Sequence, residues 1–172
     1  MANQVYMSIE GESQGLISQA AFTEMSVGNI FQEGHEDDIF IYSLSHNISL
    51  PVDIQSGQPT QQRIHSPISI SKPIDKATPL LANALTSGER ITRCEFKWFR
   101  TSSTGTQEHF FTTRLTDAII VNIVTNLPNT QSEETSHIPP SETLSISYRK
   151  IEWEHVAAGT AGSDDWRSHK QG

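Results

Sequence analysis

Apolar and polar positions alternate along most of this chain, and only one segment breaks away with a helical period. Val5, Met7 and Ile9 alternate with Tyr6, Ser8 and Glu10, which predicts a short first strand. Between residues 11 and 38 the apolar positions Phe22, Met25, Val27, Ile30 and Phe31 fit neither period. Residues 39–48 and 63–71 read as strands, and Pro67 sets an edge or a bulge in the second. Residues 91–101 and 107–116 flank Ser102, Ser103, Thr104, Gly105 and Thr106, a predicted hairpin turn. Residues 118–125 are the most apolar and are expected at the centre of the sheet, and residues 142–156 close it. Leu144, Ile146 and Tyr148 share one phase while Ile151 and Trp153 share the other, so a bulge is expected near Arg149 and Lys150.

The exception lies between Lys72 and Ile91. Asp75 or Thr78 offers a side-chain oxygen to the free N–H groups of a helix start, and Pro79 suits a first helical position. Leu80, Leu81, Ala84 and Leu85 form an apolar arc of roughly 140°, and Gly88 is placed to end the helix in a left-handed turn. A helix of about nine residues is marginal alone and needs a surface for its leucines. The strands supply one. The expected architecture is mainly β, an antiparallel β-barrel or two packed sheets with one short flanking α-helix and about seven or eight strands. The domain is expected over residues 1–157, with 158–172 as a polar C-terminal tail apart from Trp166.

Two segments carry little to bury. Residues 49–62 hold two prolines, a glycine and four glutamines and predict a long protruding loop. Residues 126–141 hold three prolines and predict a second.

Twenty acidic against twelve basic residues give a formal charge of -8, which argues against nucleic acid or an anionic membrane as partner. The single cysteine, Cys94, excludes an internal disulfide framework. The N-terminal stretch has no basic start and no apolar run, and nothing approaches the ~18 apolar residues of a membrane span. The chain is therefore expected to be made in the cytoplasm, without a cleavable signal peptide and without membrane insertion.

Reactive chemistry finds little support. Gly11-Glu12-Ser13-Gln14-Gly15 matches the G-x-S-x-G elbow of serine hydrolases, but only ten residues precede it and no helix start follows Ser13. His35 lies beside Glu36, Asp37 and Asp38 with no second histidine at zinc-type spacing. Cys94 alternates with Phe96 and Trp98 on a strand, the setting of a buried thiol. No catalytic, cofactor-binding or metal-binding residues are assigned.

Several runs resemble those of Hcp, the haemolysin-coregulated protein family of bacterial type VI secretion. The centre of the resemblance is Arg63-Ile64-His65, Pro67, Lys72, Ile74-Asp75-Lys76, Pro79-Leu80-Leu81 and Ser87-Gly88-Glu89. Before it stand Ser26-Val27-Gly28-Asn29-Ile30, Gly34-His35-Glu36-Asp37 and Gln55-Ser56-Gly57-Gln58-Pro59. After it follow Phe96-Lys97-Trp98-Phe99-Arg100-Thr101, Glu108-His109-Phe110-Phe111, Tyr148-Arg149-Lys150-Ile151 and Gly162-Ser163-Asp164-Asp165-Trp166. Together these cover nearly the whole chain, in order. Family members often carry an aromatic at the position of Ala82, and Ser at that of Ala161.

The resemblance implies a barrel like that of phage tail tubes. It further implies a homo-hexamer whose stacked rings form the inner tube of a contractile machine, with a tube-tip spike protein, a contractile sheath and secreted effectors as partners. On that reading Leu50, Pro51, Val52, Asp53, Gln55, Gln58 and Gln62 are expected to reach the next ring, and Glu95, Lys97, Phe99, Arg149, Glu152 and Trp153 to help form ring contacts. The competing expectations are a barrel module that binds a small ligand, and a hydrolase built on Ser13.

Overall fold

The computed structural model describes residues 3–168. Its framework is one antiparallel sheet built from β1 (Gln4–Gly11), β2 (Gly15–Leu16), β3 (Ile39–Ile41), β4 (Ser43–Ser45), β7 (Ile68–Pro73), β8 (Ile91–Thr101), β9 (Gln107–Asn126), β10 (Ser141–His155) and β11 (Thr160–Asp165). The two-residue strands β5 (Ile48–Ser49) and β6 (Ile64–His65) pair separately. The central order is β1-β8-β9-β10-β7. Closure comes from one short run: β3 pairs with β1 through Phe40 opposite Tyr6, and β4 pairs with β7 through Leu44 opposite Ile70. The chain from 39 to 45 thus joins the two ends of the sheet into a barrel, which leaves no open edge there.

The alternation read from the sequence becomes inside and outside. Met7, Ile9, Cys94, Phe96, Leu115, Leu144, Ile146 and Ile151 are buried in one core. Each of the larger aliphatics there contributes about 1.5–3 kcal/mol. The helix α2 (Thr78–Ser87) carries Pro79 in its first turn and ends at Gly88 in the left-handed conformation (φ 67°), where the Gly88 N–H donates to the Leu85 carbonyl and the Glu89 N–H to that of Ala84. It buries Leu81 and Ala84, with Leu80 and Leu85 half-buried against the same core. Asp75 serves its start by accepting from the N–H of Ala77 at 3.0 Å.

Four features depart from expectation. A one-turn helix, α1 (Glu24–Val27), lies in the stretch without a period. The segments 107–116 and 118–125 are one strand of 20 residues, bent at Asp117. Asp117 takes φ 58°, a conformation Asp tolerates, and its carboxylate is held by Arg90 and Arg149. The register shift in β10 falls between Ser145 and Ile146, not at Arg149 and Lys150. Finally, the segment expected as a polar tail supplies β11, paired with β10 from Lys150 opposite Asp165 to His155 opposite Thr160. Residues 169–172 of that segment, like residues 1 and 2, lie outside the described residues.

Candidate functional site

Residues 50–62 leave the barrel as an arm that holds its own shape. An isolated bridge joins Val52 to Pro59, and the N–H groups of Asp53, Gly57 and Thr60 donate to the carbonyls of Gln58, Asp53 and Pro51. Gln55 N–H donates to the Asp53 carboxylate at 2.7 Å. Gly57 supplies the positive φ of the tip. The arm presents apolar side chains to solvent: Ile54 is 99% exposed, and Leu50 and Val52 about half. The arm is thus held by its own backbone bonds while its aliphatic end stays bare.

Its base is fixed by a buried polar chain. Arg63 donates from Nη2 to Asp164 at 3.0 Å and to the carbonyls of Asp165 and Ser168. The Asp164 carboxylate accepts from His65 Nε2 at 2.8 Å, so that nitrogen carries the hydrogen. In this tautomer His65 Nδ1 accepts from the Tyr148 hydroxyl at 2.6 Å, whose oxygen accepts from His46 Nε2 at 2.7 Å. Burial above all holds His46 below its ordinary value; burial, then Asp164, pushes Tyr148 up. The indole of Trp166 stacks on His65. Strands β4, β6, β10 and β11 meet here, so the arm and the C-terminal segment share one anchor.

The strand residues expected at ring contacts sit in varied surroundings. Glu95 is buried, paired with Arg93 at 2.7 Å and Arg114 at 3.3 Å, and these bonds hold its carboxyl low despite burial, which alone raises it. Lys97 pairs with Asp38 at 3.4 Å. Phe99 packs edge-on against Tyr6 and His35. Glu152 pairs with Arg114 and Lys150, and Arg149 with Asp117 and Asp165. Trp153 lines a cavity of about 380 Å³ at the barrel mouth, with Trp98, Phe111, Leu44, Ile68 and His46.

The motif at Gly11 is a clamp. Glu89 Oε1 accepts from the backbone N–H groups of Ser13 (2.7 Å) and Gln14 (2.8 Å), and Oε2 from the Gln14 amide. Those bonds, led by Gln14, hold the Glu89 carboxyl low. A Cβ on Gly11 would stand 2.7 Å from the Glu89 carboxylate, so any larger residue there displaces the clamp. The Ser13 hydroxyl has no hydrogen-bonded histidine among the described residues. Among those residues no group of three His, Cys, Asp or Glu side chains converges to hold a metal. His35 instead stacks on Tyr6 at 3.8 Å. Sequence reasoning found the arm but missed its anchor: a polar chain spread over Arg63, His65, Tyr148 and Asp164 has no local spacing to betray it.

The fold is a closed antiparallel barrel with α2 on its flank and an ordered arm, and the chain belongs to the Hcp family of type VI secretion. The family profile described as "Type VI secretion system effector, Hcp" matches residues 6–155. The Major exported protein of Pseudomonas aeruginosa is 55% identical over 168 residues, 98% of each chain. Among solved structures, "Crystal structure of Hcp protein" superposes with a TM-score of 0.92 at 51% identity, covering 98% of this chain and 100% of that one. "Secreted protein Hcp3 from Pseudomonas aeruginosa" gives 0.80 at 48%, covering 97% and 100%. Membership makes this a tube subunit of type VI secretion.

Proposed function

We propose that six copies close into a ring, that rings stack head-to-tail into the inner tube, and that the tube leaves the cell with effectors as cargo. The protomer is a single domain over residues 1–157 followed by the segment 158–172, of which residues 160–165 pair with β10. It acts without catalysis: its role is to present surfaces to further copies, to a tip protein, to a sheath and to cargo. It is made in the cytoplasm and exported by the apparatus it belongs to, a route supported by its similarity to the Major exported protein of P. aeruginosa. The observation that carries this reading is the ordered arm with its fully exposed Ile54, which matches a head-to-tail assembly better than a monomeric binding module.

Residues Leu50, Pro51, Val52, Asp53, Gln55, Gln58 and Gln62 reach the neighbouring ring in this reading. Within the ring, Lys97, Arg149 and Glu152 and the strands that carry Glu95, Phe99 and Trp153 face the adjacent copy. Native mass spectrometry tests it: a ring weighs six times the 19.1 kDa protomer, and electron microscopy at high concentration shows stacked rings. Removal of residues 52–59 leaves the ring at six copies of the shortened protomer and abolishes stacking. Monomers at every concentration overturn the reading.

A further inference from the structure

The arm's apolar tip has a seat on this same chain, at the far end of the barrel. Strand β7 begins beside the arm's base, three residues after His65, and ends at Pro73. It spans about 20 Å at 3.3 Å per residue. Just beyond Pro73, a groove of about 790 Å³ opens between residues 20–26 and 75–76. Ala20, Thr23 and Met25 line it, together with Glu24, Ser26, Lys76 and Asp75, whose carboxylate is taken up by Lys72 at 3.0 Å. The Oγ of Ser26 accepts from the Lys76 N–H at 2.8 Å and ties the two walls together. Met25 is fully exposed, a flexible side chain suited to covering an aliphatic neighbour.

We infer that Ile54 and Val52 of one copy dock in this groove of the next copy, with Asp53 facing Lys76. Asp53 is the one charged residue of the arm between Leu50 and Gln62. Lys76 makes no ion pair among the described residues. The acid on the plug and Lys76, the one base lining the socket, are opposite in charge, and the apolar tip meets Ala20 and Met25. Plug and socket lie at opposite ends of β7, so a copy cannot satisfy itself. Each copy that offers an arm leaves its own groove open, the heterologous geometry that propagates along an axis. This seat rests on the stacking reading above but is separable from it.

The test is a pair of cysteines, Ile54→Cys and Met25→Cys, in one chain. Both positions are fully exposed, so folding is spared, and the native Cys94 is buried. Tubes are oxidised with copper phenanthroline, which takes the two thiol hydrogens as the disulfide forms, and are run on a non-reducing gel. The expected result is a ladder extending past the dimer and reversed by dithiothreitol; each single-cysteine variant stops at the dimer or below. Tubes that form normally but give no ladder overturn the groove as the seat while leaving stacking intact. Failure of the parent chain to form tubes at all sinks the stacking reading beneath it. A second measurement uses Lys76→Glu, expected to raise the concentration needed for tubes by about tenfold, as one lost desolvated contact would. Unchanged tube formation in Lys76→Glu counts against the pairing with Asp53.

Discussion

Lys72→Met is the sharpest test of how the barrel is joined to its helix. Lys72 is fully buried at the end of β7. Its ammonium donates to the Pro73 carbonyl at 2.9 Å, Asp75 at 3.0 Å and Thr78 at 3.3 Å, and to Glu142 on β10. Thr78 in turn donates to Glu142 at 3.0 Å. One cation therefore holds two buried carboxylates and the first turn of α2. Methionine matches its length but leaves both acids uncompensated, at a cost of about 3–5 kcal/mol. At roughly 2–4 °C per kcal/mol for a chain of this size, Tm falls by about 6–20 °C. Thermal unfolding is followed at one fixed protomer concentration, because assembly itself stabilises.

The pH dependence adds a second constraint. Burial outweighs the pull of Lys72 and holds the Asp75 carboxyl above its ordinary value of 3.8. An acid whose folded value exceeds its unfolded one favours folding most where it is protonated, below about pH 4, and the advantage is lost as pH rises through the folded value. Loss of the ammonium raises that folded value further. The penalty of Lys72→Met is therefore smaller at pH 5 than at pH 7, and adding Glu142→Gln and Asp75→Asn recovers much of it. A Tm within about 2 °C of the parent at pH 7 would refute the reasoning.

Three other outcomes are expected. His46 lies below its ordinary value of 6.5, so its contribution is full above 6.5 and lost as pH falls through the folded value; proteolysis of residues 160–168 accelerates on acidification from about pH 7.5 to 5.5, and His46→Gln flattens the response. Glu89→Gln, which weakens the clamp on Ser13 and Gln14, destabilises by about 1–3 kcal/mol, whereas Ser13→Ala is neutral by the same denaturation curve and no esterase activity separates the two. Burial, then Glu95, pushes the Cys94 thiol far up, so it stays silent to a thiol reagent in the native protein and reacts only at the rate of unfolding.

The sequence was most legible where chemistry is local. Pro79, the leucine arc and Gly88 announced α2 because a cap, a period and a left-handed turn all act within a few residues. The polar run from 49 to 62 announced the arm for the same reason. What stayed hidden depends on distant partners. Asp117 looked like a break between two strands, since nothing local says that Arg90 and Arg149 will hold it in a positive φ inside one continuous strand. The small, polar residues 160–165 looked like a tail, because their strand exists only along the outer edge of β10 and under the Arg63 bond to Asp164. Trp153 was legible only as a strand residue, and its company with Trp98 and Phe111 around one cavity comes from strands distant in the chain.

The closure of the barrel by residues 39–45 has a consequence for how the protein is made. Strand β1 lies between β3 and β8, and its register sets Val5 against Trp98. At about 5–20 residues per second, a ribosome completes β1 roughly 5–18 s before its main neighbour exists. During that wait the first strand has only the short β2 and β3 to cover its hydrogen-bonding rims. A nascent chain stalled before Ile91 thus displays a ready template for misassembly, and the birth of this protein is its most hazardous moment.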